Sequence, residues 1–183
     1  MTDKKEIRAL IKQKKAELTA EEIERRSYVL AARLFDRIEY KEADTIYIYL
    51  SYNQEVMTEP IIERAFSDGK RVAVPKTIMR QSLSENYMEF IYNYDETVFE
   101  VKKGIQEPVD GEIADTDALV IVPGLAFGKD MNRIGYGGGF YDKYFSAHKE
   151  RKFFKVALCY DFQVFDTLDV EEHDEKIDVL IFE

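Results

Sequence analysis

Apolar residues at Ile7, Leu10, Ile11 and Leu18 recur at helical spacing and predict an amphipathic helix over residues 3–17 with its lysines outward. Thr19 followed by Glu22 reads as a capping box, opening a second helix whose apolar face uses Ile23, Leu30 and Leu34, with Tyr28 as a further candidate. TIYIYL, Thr45 to Leu50, is apolar on both faces, as a strand between two helical layers must be. The polar loop SYNQE follows. Thr58 then caps a third helix through Ile61, Ile62, Ala65 and Phe66, which stops at Asp68-Gly69. RVAVPK is a second strand that Val74-Pro75 closes, because proline cannot donate to a ladder.

Residues 77–86 are polar and predict a loop, and YMEFIYN, Tyr87 to Asn93, alternates like an antiparallel edge strand. Between residues 94 and 117 the turn signals Gln106-Glu107-Pro108 and Asp110-Gly111 predict an irregular connection, with at most a short helix at Thr97 to Val101. ALVIV, Ala118 to Val122, is a further core strand. A helix from about Phe140 to Lys149 and strands at Lys155 to Tyr160 and Ile177 to Phe182 complete the chain, with the acidic stretch DTLDVEEHDEK between the last two. Strands alternating with helices predict a three-layer α/β fold with a mostly parallel sheet. At 183 residues, a single domain over 1–183 is expected, with a substantial core.

Composition narrows the partners. A net charge of −10 argues against nonspecific binding to nucleic acid or an anionic membrane. No apolar run approaches the roughly 20 residues of a membrane span. The start, MTDKKEIRAL, is charged and helical rather than a secretory signal, so a cytoplasmic protein is expected, acting as a monomer on small molecules. The single cysteine, Cys159, lies in the apolar run VALCY and reads as a buried small side chain. Positive charge is nevertheless concentrated at Lys4, Lys5, Arg8, Lys12, Lys14 and Lys15, against Glu6 alone. That face suits either a small polyanion or plain solvation.

The chemistry gathers in NRIGYGGGFYDKY, Asn132 to Tyr144, which holds four glycines, an arginine, an aspartate and three tyrosines. It lacks the Gly-Lys-Ser/Thr ending of a phosphate-binding P-loop and the third glycine of a dinucleotide fingerprint, where Phe140 stands. What remains is a glycine run before a helix N-terminus, where free backbone N–H groups and the helix dipole favour an anion such as phosphate. Arg133 can add a charge-assisted contact to it. Asp142 beside such a site points to an intervening cation, since magnesium is commonly held by one or two carboxylates plus phosphate oxygens. The alternative is that Asp142 only complements the helix dipole. Tyr136 and Tyr141 stack on a planar ligand or pack the loop down.

VPGLAFGKDMNRIGYGGGFYDKYF resembles the signature of the 5-formyltetrahydrofolate cyclo-ligase family, also called 5,10-methenyltetrahydrofolate synthetases. The likeness extends to Lys4 and Arg8 in a K-x-x-x-R helix, to Leu50, Ser51 and Glu55 in LSxxxE, to KRVAVPK, and to His173, Asp174 and Asp178 in HDxxxD. It implies a Rossmann-like three-layer fold related to the sugar-phosphate isomerase and CoA-transferase group. It also implies ATP-dependent cyclisation of a reduced folate, 5-formyltetrahydrofolate, through a phosphorylated formyl oxygen. By position, Lys4, Lys5, Arg8, Arg133, Ile134, Gly135, Tyr136, Gly137, Gly138, Gly139, Phe140 and Tyr141 would bind ATP. Leu50, Glu55 and Tyr136 would line the folate site, and Asp142 and Asp174 would hold Mg²⁺. His173 would orient Asp174 or sit at the surface, and His148 would lie on an exposed helix face.

One departure stands out. Some members carry R-G-K-G in the glycine run, where this chain has Tyr136 and Gly138 at the basic positions, so the missing charge is expected from Lys129 or Lys143. Two other readings stay open at this level: a sugar-phosphate isomerase, which would need no ATP, and a noncatalytic folate or nucleotide sensor.

Overall fold

The computed structural model describes residues 3–93, 97–102, 104–169, 171 and 174–183. Helices α1 (Lys4–Ala16), α2 (Ala20–Phe35) and a short α3 (Ile38–Glu42) precede strand β1 (Thr45–Ile48). Helix α4 (Glu59–Ser67), β2 (Arg71–Ile78) and β3 (Tyr87–Tyr92) follow. The chain continues through β4 (Phe99–Lys102), β5 (Ile105–Pro108), β6 (Ala118–Ile121), β7 (Ala126–Gly128) and β8 (Arg133–Ile134). Helix α5 (Phe140–Ala147), β9 (Phe153–Cys159), β10 (Val164–Phe165) and β11 (Val179–Phe182) end it. No helix among the described residues is long and apolar enough to cross a membrane.

The main sheet has the order β11-β9-β6-β1-β2-β3, parallel throughout except for β3, which is antiparallel to β2 and sits at the edge as its alternation predicts. The period of two along β1 makes the layers: Ile46 and Ile48 pack with Leu30, Leu34 and Ile61 of α2 and α4, while Tyr47 turns to Phe90, Tyr144 and Phe145 on the α5 side. Each such fully buried side chain contributes roughly 1.5–3 kcal/mol. A third apolar cluster joins Ile7 and Ile11 of α1 to Leu125, Ala126 and Ile134, so α1 packs on the small β10-β7-β8 sheet rather than on the main one. The direction of strand addition reverses between β1 and β6, and the crevice at their carboxyl ends is where open α/β sheets bind ligands.

Several expectations need correction. Thr97 to Val101 is not helical: β4 and β5 form an antiparallel hairpin turning at Gly104, whose φ of 84° suits the left-handed turn. Its β-branched and aromatic residues favour strand over helix. Residues 77–86 are not all loop, because β2 runs past Pro75 to Ile78 and a single 3₁₀ turn occupies Leu83–Glu85. Pro75 is tolerated because its partner Phe90 directs its carbonyl to Ala114 N, away from β2, so the proline nitrogen faces the side where β1 has already ended. Leu10, Tyr28 and Phe66 are exposed rather than in the core. The buried stripe of α1 is instead Ile7, Ile11 and Lys15. Thr58 stands at the N-cap of α4 but makes no side-chain cap; its hydroxyl accepts from Ser51 N, and its own N–H donates to Ser51 Oγ, clasping the loop after β1.

Candidate active site

A cavity of about 270 Å³ opens at the carboxyl ends of β1 and β6. Tyr49, Leu50, Tyr52 and Glu55 enter from the loop after β1, and Pro123, Arg133, Gly135, Tyr136 and Gly138 to Asp142 from the chain after β6. Pro75, Thr77 and Met88 of β2 and β3 and Ile105, Gln106 and Glu107 of the hairpin complete the wall. Most of this lining is apolar or aromatic, with a few polar groups, which suits a planar heterocycle.

Glu55 is buried at 8 % exposure and is held at both oxygens: Tyr136 donates its hydroxyl to Oε1 at 2.6 Å, and Tyr52 N donates to Oε2 at 3.2 Å. Its backbone carbonyl accepts from the Tyr160 hydroxyl. Burial pushes its carboxyl above the usual range, and the Tyr136 hydrogen bond, the Lys15 charge and the Tyr52 N–H pull against that. Lys15 reaches this group from α1, its Nζ 3.4 Å from the Tyr136 hydroxyl, and burial lowers its own ammonium. Cys159 is buried nearby with its thiol pushed up to about 12, which leaves it unreactive as expected.

Gly139, the N-cap of α5, has a left-handed φ of 62°, and a Cβ on Gly138 would lie 2.8 Å from the Phe140 ring. The run therefore needs small residues for its backbone shape. Behind it, Arg133 donates to Asp142 Oδ1 at 2.7 Å, an oxygen that also accepts from Glu175 N at 3.1 Å. Arg8 donates to the Gly135 carbonyl at 3.0 Å. Lys4 is paired with Asp174 at 2.8 Å and Glu171 at 3.3 Å. Burial pulls the Lys4 ammonium down, but those two hydrogen bonds and charges outweigh it, and the net shift is upward.

The structure thus brings Arg8, Arg133, Gly135, Tyr136 and Asp142 to one loop, and Lys4 and Asp174 to the segment beside Glu175. Leu50, Glu55, Gly138, Gly139, Phe140 and Tyr141 line the cavity, and Gly137 lies in the same turn. Lys5 is exposed on α1 and stands apart. Ile134 belongs to the core beneath the loop, its carbonyl taken by Leu125 N. His173 lies outside the described residues. His148 is not on a free face: it ends α5, and its ring lies 4.3 Å from that of Tyr144.

Among the described residues no group of three or more His, Cys, Asp or Glu side chains could hold a metal ion. Asp142 and Asp174 are two carboxylates, each facing a cation, and they are connected through Glu175, which follows one and bonds the other. Two carboxylates completed by phosphate oxygens are a fitting donor set for Mg²⁺, which seldom occupies an all-protein cage.

Three site features escape the sequence pattern. Lys15 looks like one more exposed lysine unless its i+4 and i+8 spacing from Ile11 and Ile7 is noticed. Glu107 is buried at 6 % exposure, its Oε1 accepting from Thr77 N at 3.2 Å and from the Thr77 hydroxyl, while its Oε2 has no hydrogen-bond partner among the described residues. The Tyr141 hydroxyl is likewise buried, with no partner among the described residues.

The model of the 5-formyltetrahydrofolate cyclo-ligase family matches residues 1–183. The chain is 33 % identical to the 5-formyltetrahydrofolate cyclo-ligase of Mus musculus over 193 aligned positions, covering 98 % of this chain and 93 % of that one. The Escherichia coli K12 enzyme of the same name is 28 % identical, with 94 % and 96 % covered. Among solved structures, the 5,10-methenyltetrahydrofolate synthetase of Aquifex aeolicus superposes with a TM-score of 0.80 at 29 % identity over 98 % of this chain and 89 % of that one. The Mycoplasma pneumoniae synthetase shares the fold with a TM-score of 0.74 at 22 % identity, covering 98 % of each.

Proposed function

The chain belongs to the 5-formyltetrahydrofolate cyclo-ligase family, and from that premise we propose how its own residues carry the ATP-dependent cyclisation of 5-formyltetrahydrofolate to 5,10-methenyltetrahydrofolate. One observation carries the assignment. The glycine segment meets an apolar cavity holding Glu55 on one side and Arg8 of α1 on the other, with the Arg133–Asp142 pair at the start of α5.

The reduced folate occupies the cavity, with pteridine N–H donors on Glu55, Leu50 and Tyr136 against its ring system, and its formyl group towards the glycine run. A formyl oxygen leaves poorly as it stands. Transfer of the terminal phosphoryl group of ATP forms a P–O bond to that oxygen as the bond to ADP breaks. The N10 electron pair then closes on the formyl carbon, the C–O bond breaks, phosphate departs with the oxygen, and the N10 proton passes to solvent. Backbone N–H groups from Gly135 to Tyr141 and the side chains of Lys4, Arg8 and Arg133 orient the phosphates. Lys5, exposed on the same helix, acts at longer range. Mg²⁺ held by Asp142 and Asp174 would supply charge neutralisation on the phosphates. The chain needs no protein nucleophile, and positioning and electrostatics carry the rate.

We also read residues 1–183 as one domain working as a monomer in the cytoplasm, without nucleic-acid or membrane partners. The net charge of −10 and the small-molecule cavity support this.

Purified protein given Mg-ATP and 5-formyltetrahydrofolate should form the methenyl product, followed by its near-ultraviolet absorbance. Omitting ATP or chelating magnesium should stop it. Asp142→Ala should lower kcat by about 100-fold or more, through misplaced phosphate. Absence of product under conditions where the Escherichia coli enzyme works would sink the reading.

A further inference from the structure

The glycine run lacks the arginine that some family members place where Tyr136 stands. Both lysines that could replace it are engaged elsewhere in this structure. Lys129 pairs with Asp166 on the open surface, with side chains 63 % and 89 % exposed. Lys143 donates to the carbonyls of Ser84 and Asn86 at 3.3 Å each. The charge behind Tyr136 comes instead from the opposite end of the sequence.

Lys15 continues the buried stripe of Ile7 and Ile11 on α1 and is only 7 % exposed. Burying an ammonium costs several kcal/mol unless partners offset it. Here the Tyr136 oxygen accepts from Nζ at 3.4 Å, the ring centroid lies 5.9 Å away, and Glu55 supplies the opposite charge. The hydrogen bonds run one way: ammonium to hydroxyl, hydroxyl to carboxylate. The Tyr136 oxygen is therefore oriented at its lone pair by Lys15 and at its proton by Glu55. An ionised carboxylate has about four lone-pair sites. Tyr136 and Tyr52 N occupy two, leaving acceptor capacity for a donor in the cavity.

We propose that Lys15 is a positioning residue for folate: through the Tyr136 hydroxyl it keeps Glu55 ionised and fixed as an acceptor for the pteridine N–H groups. The inference rests on the assignment of Glu55 to the folate site. The groups facing Glu55 are Lys15 from α1, Tyr49 and Tyr52 around the end of β1, Tyr136 and Tyr141 from the glycine segment, and Tyr160 after β9. Among the described residues Lys15 is the cation that acts on it. Without Lys15 the carboxyl protonates more readily. A protonated Glu55 turns from acceptor into donor, the wrong polarity for an N–H.

The test uses the full chain and three variants, Lys15→Met, Lys15→Gln and Lys15→Arg, each checked for folding by thermal melting. Lys15→Met and Lys15→Gln should raise KM for 5-formyltetrahydrofolate about tenfold, with KM for ATP within about twofold of wild type, the worth of one charge-assisted hydrogen bond. The acidic limb of the folate 1/KM profile should move to higher pH in both. Lys15→Arg should bring KM back to within about threefold. Equal rises in both KM values, or an unmoved limb in either neutral variant that folds, would overturn the inference; if Met fails to fold, Gln decides. Wild-type protein that makes no methenyl product at all would instead remove the underlying assignment.

Discussion

Two of the carboxylates that line the cavity are held in opposite ways. Glu55, on the loop after β1, has both oxygens bonded by the protein and a cation behind its tyrosine. Glu107, on the β4–β5 hairpin, spends Oε1 on Thr77, and its buried Oε2 has no hydrogen bond among the described residues beyond an ion pair with Lys102 at 3.7 Å, on a side chain 46 % exposed. A buried polar atom left unmade costs about 1–3 kcal/mol. One wall of the candidate site is thus satisfied by the fold, and the other keeps an acceptor open to an incoming donor. For a folate bound here, the first would be a fixed template, and the second would make affinity depend on bringing the right donor.

The contrast can be broken by exchange. Glu55→Ala removes the acceptor of Tyr136 and Tyr52 N together and strands Lys15, so kcat/KM should fall by about 100-fold or more, and the melting temperature should fall with it. Glu107→Gln should act differently. Its amide oxygen can keep Thr77 while the free atom changes from acceptor to donor, so KM for 5-formyltetrahydrofolate should rise about tenfold with an unchanged melting temperature. A wild-type KM for that variant would mean that nothing in the cavity uses Oε2, and the two carboxylates would no longer differ in function. Tyr141→Phe deletes a buried hydroxyl with no partner among the described residues and should give the smallest effect, a two- to fivefold loss in kcat/KM, with the folded protein no less stable in urea titration.

The layers were legible because their cause is periodic. The unbroken apolar run of β1, the alternation along β3 and the apolar faces of α2 and α4 report where each element must be buried. The parallel sheet, the edge position of β3 and the crevice holding Glu55 all follow from that. The hairpin was not legible, since four-residue strands carry too little period to outweigh neighbouring turn signals, and Glu107 was hidden with it. Two-residue strands such as β8 leave no trace of their own. Lys15 is hidden for another reason: its charge suggests exposure, although its place on the Ile7 and Ile11 stripe is visible in the sequence. Leu10, apolar yet exposed, is the converse case. Asp142 was readable as a charge beside a phosphate loop, whereas its pairing with Arg133 required the fold.

The ion pair between Lys4 and Asp174 joins residues 170 positions apart. Closing so long a segment is slow relative to local structure, because chain entropy is lost before the contact returns anything. Helix α1 can dock sooner, through Ile7 and Ile11 on β7 and β8 and through Arg8 on the Gly135 carbonyl. The sheet can condense earlier around β1, β2 and β6. The contact that holds Lys4 against Asp174 is therefore expected to be among the last parts of the fold to be secured.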